Sequence, residues 1–156
     1  MKNKNIFGLI VGAGPLEKEI LEEVKVLGLS EKVFFPGLQE NVKPYFSAMD
    51  IFMMSSSFEG LPIALLEAMS MNCAIVSTRA GGVVEAVRNG IDGLTCEVGD
   101  EVSLANIAGE LVTDSEKRAK FQIAARQRVK ESFSLAAMVN SLETIYLELF
   151  QQKSVE

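Results

Sequence analysis

Short apolar runs broken by glycine, proline and serine set the rhythm of the first hundred residues. Residues 6–11 are apolar throughout and end in Gly12-Ala13-Gly14-Pro15, which reads as a strand entering a tight turn. Leu16 to Leu27 have helical spacing, and Gly28 is the expected stop. Val33-Phe34-Phe35 forms the next strand, closed by Pro36-Gly37. A short helix over 42–48 leads into a strand over 50–54. After a central helix, residues 73–77 read as another buried strand. Gly81-Gly82 opens a short helix through Arg88, and residues 93–96 form a last small strand. Strands that alternate with helices and lack hairpin turns predict a parallel sheet covered on both faces. Ligands of such sheets bind outside the carboxyl ends of the strands, so the turns after Val11, Phe35, Met54 and Ser77 are expected on one edge.

The C-terminal third, about 100–150, reads as helical. A helix over 102–112 is followed by a charged one that Asp114 caps, then by one from Ser134 to Phe150. In the last, Leu135, Met138, Val139, Leu142, Ile145, Tyr146 and Leu149 recur at helical spacing, which predicts one buried face. The charges over 114–131 read as a solvated face.

One stretch organises the rest. The apolar run Ile51-Phe52-Met53-Met54 opens into Ser55-Ser56-Ser57-Phe58-Glu59-Gly60-Leu61, and Pro62 restarts the chain at the expected first helical position. From Pro62 to Met71 the run is apolar on every side except at Glu67, so a buried helix is expected, with Glu67 aimed at a partner or polar cavity. Five helical steps place Glu67 roughly 7.5 Å beyond the helix start. Glu59 and Glu67 thus flank a helix N-terminus whose backbone N–H groups, at Gly60, Leu61 and Ile63, favour an anion. Hydroxyls at both ends and negative charge between them describe a nucleotide-diphosphate sugar. The spacing alone is equally consistent with a solvated loop carboxylate and a partly exposed helix residue. The Gly12-Gly14 turn, by itself, is most simply just a turn.

Bulk properties narrow the classes. The chain has 156 residues, the size of one ordinary domain, and 48% of them are hydrophobic, which excludes disorder. A net charge of −6 argues against a nucleic-acid surface. No segment approaches the roughly 18 apolar residues of a membrane span, and Met1 to Asn5 are too polar for a secretion signal. Cys73 and Cys96 lie in apolar runs, so buried free thiols in a reducing cytoplasm are expected. There is no histidine, which removes the commonest metal ligand and general base.

Glu59 and Glu67 with seven residues between them, opened by Glu-Gly-Leu-Pro and closed by Leu-Glu-Ala-Met, resemble the signature of the family 4 retaining glycosyltransferases, which have the two-domain GT-B fold. Further stretches agree in order and spacing: Val11 to Pro15, Lys32 to Gly37, Ala48 to Phe52, Thr78 to Glu85 and Asn89 to Leu94. The resemblance covers about 5–150. It implies an α/β, Rossmann-like parallel sheet, a single donor-nucleotide-binding domain over 1–156, and transfer of a hexosyl unit from an NDP-sugar to a glycan, lipid or polysaccharide acceptor. Glu67 would hold the ribose hydroxyls. Glu59, as the catalytic carboxylate, would hold the donor sugar together with Gly60, Leu61 and Pro62. Pro36, Gly37 and Leu38 would lie against the base, and Gly12, Gly14, Gly81 and Gly82 would border the phosphates. No metal and no cofactor is implied, the NDP-sugar being a substrate.

The resemblance also implies what this chain lacks. The family's donor domain begins with a strand carrying a Gly-Arg-Leu type motif, followed by a lysine; this chain starts after both, and without the acceptor domain. The missing strand would be the central one of the sheet, so the strands over 6–11 and 50–54 are expected to pair directly or to recruit a strand in a homo-oligomer, with donor binding weakened because the Arg and Lys that offset the diphosphate charge are absent; only tight NDP-sugar binding by a monomer would point to Arg79 or another cation in that role. The acceptor domain would then act in cis or trans, the isolated chain would be inactive, and the protein would be cytoplasmic or attached to a membrane periphery through the absent domain. The alternatives are a non-catalytic module that pairs with a separate acceptor-domain chain, and an NDP-sugar epimerase-like domain.

Overall fold

The structure is a computed structural model that describes residues 6–153; the polar start Met1 to Asn5 lies outside them. The chain divides into two compact units, Met1–Met49 and Asp50–Glu156. In the first, β1 (Gly8–Val11), α1 (Glu17–Val26), β2 (Val33–Gly37) and α2 (Lys43–Ala48) follow one another. The two strands are parallel, with Gly8 opposite Val33 and Leu9 opposite Phe34; the register then shifts so that Val11 faces Gly37. α1 stops where expected: the Gly28 N–H bonds the Lys25 carbonyl at 3.0 Å and the Leu29 N–H the Val24 carbonyl at 2.9 Å. Such bonds satisfy the carbonyls that a helix end leaves open.

The second unit carries β3 (Ile51–Met54), α3 (Ile63–Ser70), β4 (Ala74–Thr78), α4 (Val83–Ala86), β5 (Leu94–Cys96), α5 (Glu101–Thr113), α6 (Ser115–Ser132) and α7 (Leu135–Lys153). The order β3-β4-β5 is parallel throughout. All five residues of β4 are buried, as a central strand covered on both faces requires. Ala74 and Val76 join Cys96, Leu104, Leu111 and Phe121 in one apolar cluster, so β4 is packed by α5 and α6. Each of these helices starts on an aspartate. Asp100 accepts from the Ser103 N–H at 2.9 Å, and Asp114 accepts from the Lys117 N–H at 2.8 Å. The Asp92 carboxylate is buried in the turn before β5 and accepts from the Arg88 guanidinium at 2.7 and 2.8 Å.

The α/β class with parallel strands and flanking helices is what the alternating pattern predicts. The sheet is not the single one expected. Among the described residues β1 and β2 form one sheet and β3, β4 and β5 another, and the direct pairing of β1 with β3 is not made. Two helices also differ from the reading. α3 buries Leu65, Ala68 and Met69, one face only, and leaves Ile63, Ala64 and Glu67 exposed. α7 begins as predicted, with the Ser134 hydroxyl accepting from the Ala137 N–H at 3.1 Å. Its apolar stripe is nevertheless not buried: the seven residues from Leu135 to Leu149 named above are 40–73% exposed. Periodicity states that a face is apolar and says nothing of what covers it.

The contrast between core and stripe can be measured. Leu111→Ala, at a fully buried position, should lower unfolding free energy by about 2–5 kcal/mol. Leu142→Ala, on the exposed stripe, should change it by no more than about 0.5 kcal/mol. Urea unfolding of the two variants beside the parent checks this, and equal losses would mean that α7 is docked in solution.

Candidate functional site

The carboxyl end of β3 runs into the serine loop, and three hydrogen bonds order that loop, one to the end of β4, one within the loop and one from the turn before α4. The Thr78 hydroxyl donates to the Ser56 carbonyl at 2.6 Å, and the Ser56 hydroxyl donates to the Glu59 carboxylate at 2.7 Å. The Gly82 N–H donates to the Glu59 carbonyl at 3.3 Å. Glu59 is therefore half-buried and oriented by a neighbouring hydroxyl, not a free loop residue.

Two glycines make this approach feasible. A Cβ on Gly81 would sit on the Glu59 carbonyl oxygen, and one on Gly82 would sit on the Gly60 carbonyl oxygen, both closer than real Cβ atoms come to any neighbour. Gly81 also has φ +50°, in the left-handed region. The four residues Glu59, Gly60, Gly81 and Gly82, singled out separately in the sequence, thus meet backbone to backbone at the carboxyl edge of β3 and β4.

α3 starts one residue later than the proline rule suggests. Pro62 is the N-cap, with ψ 110°, and its carbonyl accepts from the N–H groups of Leu65 and Leu66. The N–H groups of Gly60, Leu61 and Ile63 have no hydrogen-bond partner among the described residues, as the anion reading of this turn requires. Glu67 lies one turn beyond Ile63 on the same helix face and is exposed. The argument that burial forces Glu67 onto a partner therefore fails; it is a solvent-facing carboxylate on the side of the helix that the core leaves uncovered.

In the first unit, the Gly12 N–H donates to the Gly37 carbonyl at 2.9 Å, which joins the turn after β1 to the Pro36-Gly37-Leu38 turn after β2. The Gln39 side chain closes the latter by donating to the Pro36 carbonyl at 2.7 Å. Leu38 is exposed, and the Gly14 carbonyl accepts from the Glu17 N–H at 3.2 Å at the start of α1. Within each unit, then, the glycine turns share the carboxyl edge of their strands.

The Arg79 guanidinium, half-exposed, pairs with Glu97 at 3.0 Å. Burial, then the nearby Asp50, pushes the Cys73 thiol up to about 11, and burial also raises that of Cys96. Thiols kept protonated are poor nucleophiles. A cavity of about 410 Å³ is lined by Asn72, Ile123, Arg126, Gln127 and Lys130. Asn72 stands at the amino end of β4, the opposite edge from Glu59. Sequence reading missed two members of the site: Ser56, which orients Glu59, and Thr78, which anchors the loop. Their hydroxyls lay among several others with no pattern to distinguish them.

The close approach predicts an asymmetry. Gly82→Ala should displace the loop that carries Glu59 while leaving the strands and α5–α6 core intact. Amide proton chemical shifts should change over 56–61 and 79–83 and stay constant in α5 and α6; shifts unchanged in the serine loop would contradict the contact.

A sequence model of the family described as "Glycosyl transferases group 1" matches residues 1–128. An N-acetyl-alpha-D-glucosaminyl L-malate synthase of Bacillus anthracis is 36% identical over 143 residues, which are 92% of this chain and 38% of that one. The chain thus spans under half the length of this relative. The solved C-terminal domain of a group 1 glycosyl transferase, LpcC of Francisella tularensis, superposes with a TM-score of 0.79 at 26% identity, over 86% of this chain and 73% of that domain's chain. The Anabaena protein HepE, solved in complex with UDP, superposes at 0.85 with 23% identity, over 94% of this chain and 42% of that chain, and shows the shared Rossmann-like GT-B fold. With four fifths of its length matched by the family and its glycine turns at the strand ends, this chain belongs to the group 1 glycosyltransferases.

Proposed function

We propose that this chain is the donor-nucleotide-binding half of a retaining glycosyltransferase of family 4, acting in the cytoplasm on an NDP-sugar. The observation that carries the reading is the seat at the carboxyl edge of β3 and β4. There the Ser56-oriented carboxylate of Glu59, the unpaired N–H groups of Gly60, Leu61 and Ile63, and the Gly81-Gly82 turn meet. Glu67, one turn further on the open face of α3, reaches the ribose hydroxyls. The N–H groups take the diphosphate, and Glu59 takes the sugar.

The chemistry follows from the residue types present. Without histidine, the negative charge that builds on the departing diphosphate is met by fixed N–H dipoles at a helix start, which need no reorganisation as the bond breaks. Neither metal nor cofactor enters this scheme. An acceptor-holding domain, in cis or in trans, supplies the nucleophile, so transfer of the hexosyl group requires that partner. The HepE complex with UDP, and the transferase names of the relatives, support a nucleotide-sugar donor.

Two substitutions separate the roles. Glu67→Gln should weaken UDP binding by about 1.5–3 kcal/mol, the value of a lost charge-assisted hydrogen bond. Calorimetry giving equal affinity for parent and variant, with UDP and with GDP, would refute the ribose role. In the enzyme reconstituted with its acceptor domain, Glu59→Ala should lower turnover with nucleoside diphosphate affinity nearly unchanged. The reverse pattern would remove Glu59 from the sugar.

A further inference from the structure

Phe58 is 87% exposed, more than any other large apolar side chain among the described residues. It does not sit on a loose loop. Ser56 is held through its carbonyl by Thr78, and Glu59 is held through its carbonyl by Gly82, so Phe58 lies within a four-residue arc fixed at both ends. The Ser56 hydroxyl to Glu59 carboxylate bond closes the same arc from inside. Leu61 and Ile63, 43% and 64% exposed, continue the apolar surface past Glu59. An anchored backbone therefore presents an aromatic ring to solvent at the residue before an oriented carboxylate.

That pairing matches the two-sided chemistry of a pyranose. Its hydroxyls seek acceptors such as Glu59, and its C–H face, weakly positive, suits the negative face of an aromatic ring. Binding sites for small molecules combine a few placed polar groups with aromatic walls in this way. We infer that Phe58 stacks against the pyranose ring of a sugar bound at Glu59, and so is a positioning and specificity residue for the carbohydrate and not for the nucleotide. The inference rests on the reading of Glu59 as a sugar ligand, and it names the side chain that recognises the apolar face of that sugar.

The chain contains no tryptophan, so Phe58→Trp introduces a single indole reporter at this position. Its emission should move to the blue with UDP-glucose or with a free hexose oligosaccharide, and stay put with UDP alone. Whichever of the two sugar probes acts identifies the ring as that of the donor or the acceptor. In parallel, Phe58→Ala should weaken UDP-glucose binding about 2- to 10-fold with UDP affinity unchanged. An indole silent to both sugars, or a full spectral shift with UDP alone, would overturn the inference, as would unaltered affinity in Phe58→Ala for whichever sugar probe moves the indole. Failure of UDP to bind the parent chain would count against the nucleotide reading alone, because the oligosaccharide response reads Phe58 without it.

Discussion

The site depends on the close approach of two backbone segments, Glu59-Gly60 and Gly81-Gly82. No side chain fits between them, so the loop after β3 and the turn before α4 are held together at a separation that only glycine permits. Everything with chemical character follows from that. Glu59 points where Ser56 directs it, the N–H groups of Gly60, Leu61 and Ile63 have no partner among the described residues, and the exposed face of α3 continues from the same edge. Backbone donors of this sort are already oriented when charge develops near them.

Much of this was legible in the sequence, and for physical reasons. Apolar runs closed by glycine and proline marked the five strands; β4 alone is buried throughout, as a central strand covered on both faces is, while Ile10, Phe34 and Met53 on β1, β2 and β3 are exposed. Asp114 and Ser134 announced their helices, since few side chains can accept from a free N–H at a helix start. The ordered motifs around Glu59 and Glu67 led to the family, and the glycine turns stand at the carboxyl edge of the strands, where the alternating pattern put them.

What failed shares one cause: composition records what a residue is, not what lies against it. The apolar run after Pro62 looked buried on all sides, yet α3 has neighbours on one face only, so Glu67 stands in solvent. The same holds for α7, whose stripe is regular and uncovered. α1 likewise buries no residue. That β1-β2 and β3-β4-β5 stay separate was one of two outcomes the resemblance left open, and composition could not choose between them, because strand order is fixed by pairing between distant segments. Ser56 and Thr78 escaped notice because a hydroxyl acquires a role only from the carboxylate or carbonyl that the fold sets beside it.

The central claim is that a nucleotide diphosphate binds at the carboxyl edge of β3 and β4, on backbone N–H groups. Titration of the ¹⁵N-labelled chain with UDP tests it most directly, since those groups are themselves the reporters. The account predicts the largest amide shifts at Gly60, Leu61, Ile63, Gly81 and Gly82. Shifts centred instead on Asn72, Arg126, Gln127 and Lys130, around the cavity at the opposite edge, would contradict it.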